Sequence, residues 1–237
     1  MKLAITIATY QRADGRTSFY LKRALDSIFC QTHKNFKVFL IGDHYENDEE
    51  LREIISLYNK DQLYCGNLAF SPERIKYKNQ EIRILWCSAG LTAIHTAIDK
   101  ALEEGFDYIC HLDHDDYWRE DHLELINQTI EETNADWLCT KAEYGKDLIY
   151  PETDSIEKLI PFLPLSHGTI NSSTCYNYRT IPLRYRNVYE ETEGVFPSDA
   201  DLWIRSAEYI IQNNLKSLLI NQITCFHHEE GYLLNAD

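Results

Sequence analysis

Three aspartates, Asp113, Asp115 and Asp116, fall inside the stretch HLDHDDYW (111–118), directly after the apolar run Tyr108-Ile109-Cys110. Carboxylate oxygens are hard ligands. A cluster like this can hold Mg²⁺ or Mn²⁺, with water and a ligand's phosphates filling the other positions. Asp113 and Asp115 are two residues apart, so in an extended turn one can face a nucleotide and the other the cation. The competing reading is a solvated turn leading into a helix from Glu120, because acids favour a helix amino terminus.

Two further stretches carry comparable chemistry. In FPSDADLWIR (196–205), Ser198 is placed to cap a helix and Asp201 sits where a capping-box acid would. That leaves Asp199 over, either as an ordinary first-turn acid or as a general base within reach of a hydroxyl. In CFHHEEG (225–231), His227 and His228 follow a strand-like run. Imidazole suits Mn²⁺, and neighbouring strand residues point to opposite faces, so at most one of the two would ligate. The bland alternative is a pair of surface histidines. STCYNY and LSHGTIN have the polar and aromatic content of a sugar-binding loop, or of any exposed loop. No P-loop, dinucleotide fingerprint, G-x-S-x-G or H-E-x-x-H occurs.

The elements that must position these groups alternate. Strands are predicted over 3–9, 36–42, 81–87, 106–112 and 135–140, with helical apolar stripes between them and behind the acidic turn. One such stripe is Leu91, Ile94, Ile98, Ala101 and Leu102. The alternation predicts an α/β fold with a mostly parallel sheet covered by helices. Ligands bind at the carboxyl ends of strands in such sheets. Thr9-Tyr10, Asp43, Ser88 to Gly90 and Asp113 to Asp116 all sit at predicted ends. Residues 141–200 read as loop-rich, followed by a helix around Trp203 and a last strand in LKSLLINQITCF. No linker or repeat divides the chain, which predicts one domain.

Composition narrows the partners. With a formal net charge of −15 over 237 residues, the chain repels a phosphate backbone, and nucleic acid is excluded as a partner. An anionic ligand would need a metal or a few placed cations to screen that field. The seven cysteines show no C-x-x-C spacing and suit buried thiols in a reducing compartment. No apolar run is long enough to span a bilayer, so a cytoplasmic protein is expected, with peripheral contact to a membrane still open.

Taken in order, these stretches resemble the family 2 inverting glycosyltransferases of GT-A fold. AITIATYQR is similar to that family's first strand, and LKRALDSIFCQTHKNFKVFLIGD to its first helix, Gln-Thr turn and second strand closing on an aspartate. YICHLDHDDYW resembles the D-x-D segment, SDADLWIR the Glu-Asp-x-Asp-Leu-Trp-x-Arg helix, and FHHEEG the position of a metal-binding histidine. The resemblance implies a GT-A domain over 1–237, with a nucleotide-binding half (1–116) and an acceptor-binding half (117–237). It implies that Thr9 and Tyr10 line the base pocket, Asp43 bonds the base, Arg12 balances charge and Asp113 contacts the ribose. Ser88 and Gly90 would belong to the same donor site. Asp115 would hold Mn²⁺ or Mg²⁺ together with His227 or His228, the H-x-x-small spacing favouring His228. Asp199 would be the catalytic base. The implied reaction is transfer from a nucleoside-diphosphate sugar, a UDP-sugar by preference, to a glycan or lipid-linked hydroxyl.

Two departures stand out: Ile94 replaces the family's arginine and Ser198 its glutamate. They keep a non-catalytic nucleotide-sugar-binding domain in play. A sugar-phosphate nucleotidyltransferase is the other rival, although ATYQRADGR is a poor version of its glycine-rich loop.

Overall fold

β1 (Leu3–Thr9), LAITIAT, is β-branched and almost wholly buried, as a central parallel strand must be. It is followed by α1 (Thr17–Phe29), β2 (Phe36–Gly42), α2 (Glu49–Ile55), β3 (Leu63–Asn67), α3 (Pro72–Tyr77), α4 (Ile82–Ser88) and α5 (Leu91–Glu103). Then come β4 (Tyr108–His111), β5 (Tyr117–Trp118), α6 (His122–Thr133), β6 (Trp137–Tyr144), β7 (Leu148–Tyr150) and β8 (Leu159–Pro161). A 3-10 turn (Asn171–Ser173), β9 (Thr174–Asn177), α7 (Val188–Thr192), α8 (Ser198–Gln212) and β10 (Ser217–His227) complete the chain. The structure is a computed structural model and describes residues 1–145, 147–192 and 194–227.

One mixed sheet runs in the order β3-β2-β1-β4-β9-β6-β10-β5, with β7 on β6 and β8 on β10. The period-two alternation of β1 divides the core. Leu3, Ile5 and Ile7 pack with Leu21, Leu25 and Ile28 of α1, Leu51 of α2 and Ile126 of α6. Ala4 faces the other layer, with Ala97 and Ile98 of α5 and Trp203 of α8. Small side chains on that side let α5 lie close to the sheet.

Strand direction decides where chemistry can collect. β2, β1 and β4 are parallel, so Thr9, Asp43 and Asp113 leave the sheet at one edge. β9 is antiparallel to both β4 and β6, and this double reversal restores the direction. β10 then runs parallel to β6 and delivers His227 to the same edge.

The parallel expectation therefore holds for the first four strands of the sheet order, while the rest mixes directions. Two local expectations are corrected. EIRILWC (81–87) is the helix α4 rather than a third strand: Ile84, Cys87 and Ser88 are buried at helical spacing. The third strand is instead LYCGN, where a Cβ on Gly66 would come within 3.1 Å of the Ile41 side chain. STCYNY is no exposed loop, because Thr174, Cys175 and Tyr176 form a buried central strand. The α5 stripe lies against the core as expected, with Leu91, Ile98 and Ala101 buried and Ile94 and Leu102 packed beside them, and Ile94 also borders a cleft.

His122 gives a clean test of core electrostatics. Burial, against the opposing pull of Asp121, lowers its pKa from 6.5 to about 3, and Nδ1 pairs with Thr224 Oγ1 at 2.7 Å. The unfolded chain binds this proton below pH 6.5 and the folded chain does not, so acid favours unfolding. The stability advantage of wild type over His122→Gln should shrink by about 1.4 kcal/mol per pH unit between pH 6 and 4. A pH-independent difference in urea unfolding would contradict a neutral buried imidazole.

Candidate active site

A cleft of about 540 Å³ opens at the shared edge, and Ala8, Gly90, Asp113, Asn171, Asp199 and His227 are among its walls. Gly90, with φ of +82°, is the residue that turns the chain from α4 into α5, a left-handed conformation that only glycine takes without strain. Ser88 behaves differently. Its side chain is buried, bonds Asn187 Oδ1 at 3.4 Å, and is not part of the cleft wall.

The acidic turn is held from below by the 3-10 turn. Asp113 N–H donates to Ser172 Oγ at 3.0 Å, and Ser172 Oγ–H donates to Asp116. Asn171 Nδ2 donates to Asp113 Oδ1 at 3.1 Å and is itself oriented by the Tyr185 hydroxyl at 2.7 Å. Asp116 is fully buried and accepts from His227 Nδ1 at 2.8 Å. This pairing occupies Nδ1 and orients the ring, so that Nε2 is the nitrogen turned away from Asp116.

Like charge crowds the site. Burial, followed by repulsion from Asp116, Asp115 and Asp199, lifts the Asp113 pKa well above the carboxylate range. Burial works against protonation of His227, yet Asp116, Asp113 and Asp115 outweigh it and raise its pKa. Burial likewise raises Asp199, although the Ala200 N–H at 2.8 Å and His227 pull the other way. A cluster that holds protons against its own repulsion is suited to a cation.

The donor types fit a divalent ion: carboxylates on Asp113 and Asp115 and an imidazole on His227. Among the described residues, however, no three His, Cys, Asp or Glu side chains already converge on one point. Asp115 Oδ2 lies 3.4 Å from Arg12 Nη1 instead. His228, favoured by its spacing, lies outside the described residues.

Beside this cleft, a second polar group forms at the ends of β1 and β2. The Thr9 hydroxyl meets Tyr45 Oη at 2.8 Å, and the Arg74 guanidinium lies 4.2 Å over the Tyr10 ring. Arg74 Nε also donates to Asp43 Oδ2 at 2.7 Å. Asp43 Oδ1 is buried with no hydrogen-bond partner among the described residues, an acceptor waiting for a donor.

The capping expectation for α8 fails. Pro197 takes the N-cap position, and Ser198 Oγ–H donates to Cys87 O at 2.8 Å. Asp201 is held by Arg186 at 2.6 Å and Arg205 at 2.7 Å rather than closing a capping box. Asp199 is left facing the cleft.

Comparison with known proteins follows the same line. The description of glycosyl transferase family 2 matches residues 4–193. The chain belongs to glycosyl transferase family 2. This glycosyltransferase is 34% identical over 243 residues to an uncharacterised glycosyltransferase of Acanthamoeba polyphaga mimivirus, covering 99% of this chain and 97% of that one. It is 24% identical over 214 residues to the O-antigen biosynthesis glycosyltransferase WbnJ of Escherichia coli, covering 85% and 73%. Among solved structures it resembles S. aureus TarS 1-349 in complex with UDP, with a TM-score of 0.70 at 14% identity. That match covers 96% of this chain and 60% of the TarS chain, so the present glycosyltransferase spans well under the whole of that structure. The mannosyltransferase PcManGT of Pyrobaculum calidifontis, in complex with GDP-Man and Mn²⁺, matches with a TM-score of 0.57 at 10% identity, over 98% and 58%. These likenesses identify the GT-A fold.

Several site residues escape a reading of the sequence. Arg74 follows the signal Ser71-Pro72, where Ser71 Oγ accepts from Arg74 N–H at 3.4 Å and Pro72 opens α3. That serine–proline pair is a legible helix start. Asn171, Ser172 and Tyr185 carry no such signal, because only β9 and its neighbours bring them under the acidic turn.

Proposed function

We propose that this glycosyltransferase moves a sugar, with inversion, from a nucleoside-diphosphate sugar to a hydroxyl of a glycan or lipid-linked acceptor, and that a divalent ion assists. The observation that carries this reading is one shared cleft: Asp113, Asp199 and His227 meet there from the ends of β4, α8 and β10. The orphan Asp43 Oδ1, beside Tyr10 and Arg74, suits the N–H of a base, and UDP is the preferred nucleotide. Thr9 shapes that pocket through Tyr45. Gly90 and Asp113 both line the cleft, which supports assigning Gly90 to the donor site and Asp113 to the ribose. Arg12 brings positive charge to the Asp115 side of the turn.

Asp115 and His227 or His228 would hold Mn²⁺ or Mg²⁺. Such an ion, when bound, stabilises the negative charge that grows on the leaving diphosphate. The acceptor oxygen forms its bond to the anomeric carbon as the bond to the diphosphate oxygen breaks, and the hydroxyl proton passes to Asp199. Burial keeps that carboxylate more basic than an exposed aspartate, which favours the transfer.

No helix among the described residues is long and apolar enough to cross a membrane. The cysteines are free, which suits a reducing, cytoplasmic setting. Calorimetry with UDP tests the donor side: binding should require Mn²⁺ and weaken at least about tenfold in Asp115→Ala. Equal, metal-independent binding by both proteins would refute the assignment of Asp115.

A further inference from the structure

Asp113, Asn171 and Tyr185, far apart in the chain, form one hydrogen-bonded line along the cleft wall. Asn171 Nδ2 donates to Asp113 Oδ1 at 3.1 Å, and the Tyr185 hydroxyl donates to Asn171 Oδ1 at 2.7 Å. All of them border the cleft. Chemistry gives the line its direction. An ionised Asp113 only accepts, so the amide turns its NH₂ to the carboxylate and its oxygen to the phenol. Burial, followed by Tyr176, Asp113 and Asp199, raises the Tyr185 pKa, so the hydroxyl keeps its proton and donates.

Each member is anchored from behind. Asn171 opens the 3-10 turn, and its carbonyl accepts from Thr174 Oγ1 at 2.7 Å. The Tyr185 carbonyl accepts from His95 Nε2 of α5 at 3.0 Å, and the Tyr185 ring meets His111 edge-on, with centroids 5.4 Å apart. His111 is fully buried and its Nδ1 pairs with Thr6 Oγ1 at 2.7 Å, so this support does not shift. Ser172 already fixes the backbone of Asp113 through its N–H. The amide therefore adds little to the path of the chain; what it sets is the plane of the carboxylate. Hydrogen bonding among the described residues engages Oδ1 of that carboxylate and leaves Oδ2 over.

We propose that Asn171 and Tyr185 are positioning residues for the donor: by clamping Asp113 Oδ1 they aim Oδ2 at a ribose hydroxyl, and so make the site select ribonucleotides over deoxyribonucleotides. This rests on Asp113 contacting the ribose. A hydroxyl bonded to a carboxylate makes a strong contact, but one that weakens steeply when misaligned. A carboxylate free to turn about its last bond spends less time in the productive orientation. Contacts to the rest of the nucleotide do not depend on that bond, since Asp43 and Arg74 stand at the separate group beside the cleft. Loss of the clamp therefore costs ribose selectivity before it costs binding of the base or diphosphate.

Calorimetry on the full chain with Mn²⁺ present, using UDP, 2′-deoxy-UDP and 3′-deoxy-UDP, tests this. Wild type should bind at least one of the deoxy nucleotides about tenfold more weakly than UDP. Asn171→Ala should bring that ratio to within about twofold, and Tyr185→Phe, which keeps the ring but frees the amide, should fall between. The ratio is taken within each protein, so a general loss of fold or of metal affinity does not move it. Asp113→Ala should erase the preference as well, and adding Asn171→Ala to it should change nothing further, because the amide acts through the carboxylate. If Asp113→Ala erases the preference while Asn171→Ala retains it, the positioning role falls and the ribose contact of Asp113 stands. If Asp113→Ala keeps the preference, or wild type shows none, the ribose contact itself falls and takes the positioning role with it. Effects that add in the double variant also overturn the proposal, by giving Asn171 a contact of its own with the nucleotide.

Discussion

Asp199→Asn should lower kcat by about 10² to 10⁴-fold, the usual worth of a positioned general base, while UDP binds as tightly as to wild type. The substitution is close to isosteric. Its Oδ1 can still accept from Ala200 N–H, so the first turn of α8 keeps the contact it has now at 2.8 Å. Ser198 continues to hold α4, and the paired Arg186 and Arg205 continue to hold Asp201. What disappears is the capacity to take a proton. A loss confined to turnover, with fold and nucleotide affinity intact, is the signature of an interaction made in the transition state. A variant that transfers sugar at the wild-type rate would remove Asp199 from the chemistry. It would also revive the reading of a carboxylate present only as a favourable charge at a helix start.

How far could this have been reached from residues alone? β1 and β2 announce themselves because central parallel strands are apolar on both faces, and LAITIAT and FKVFLIG have no other use for so many buried residues. α4 misleads for a physical reason. EIRILWC has the length and apolar content of a strand, and only tertiary packing reveals that Ile82 and Trp86 are outside while Ile84 and Cys87 are inside. β9 misleads in the opposite sense, since Ser, Thr and Tyr look like loop chemistry until two neighbours supply both hydrogen-bond ladders. The acidic turn was legible as a cluster. Which acid does what was not, because that depends on Ser172, Asn171 and His227 arriving from distant parts of the chain. Asp116 is the instructive case: as one of three acids it looks redundant, and in the structure it is the one most deeply enclosed.

Asp116→Ala should destabilise the fold by about 3–5 kcal/mol, the range for removing one partner of a buried ion pair. The carboxylate is fully buried, and its oxygens are satisfied by His227 Nδ1 at 2.8 Å and by the Ser172 hydroxyl. Removing it leaves a buried imidazole without the anion that raises its pKa, and a hydroxyl without its acceptor. Asp113 and Asp115 remain nearby and soften the loss of charge balance, which points to the lower part of that range. Asp116→Asn keeps the shape and an acceptor for Nδ1, so it should cost less, about 1–3 kcal/mol. The dependence on pH has a definite sign. The pair holds His227 above its ordinary value of 6.5, so its contribution is complete below that pH and fades as pH climbs through the raised value of about 9. Urea unfolding of the metal-free protein should accordingly show a larger gap between wild type and Asp116→Asn at pH 6 than at pH 9. A gap that is small at pH 6, or that widens with rising pH, would mean that Asp116 and His227 are neighbours without being an ion pair. His227 would then reach the cleft with neither its tautomer nor its orientation set from behind.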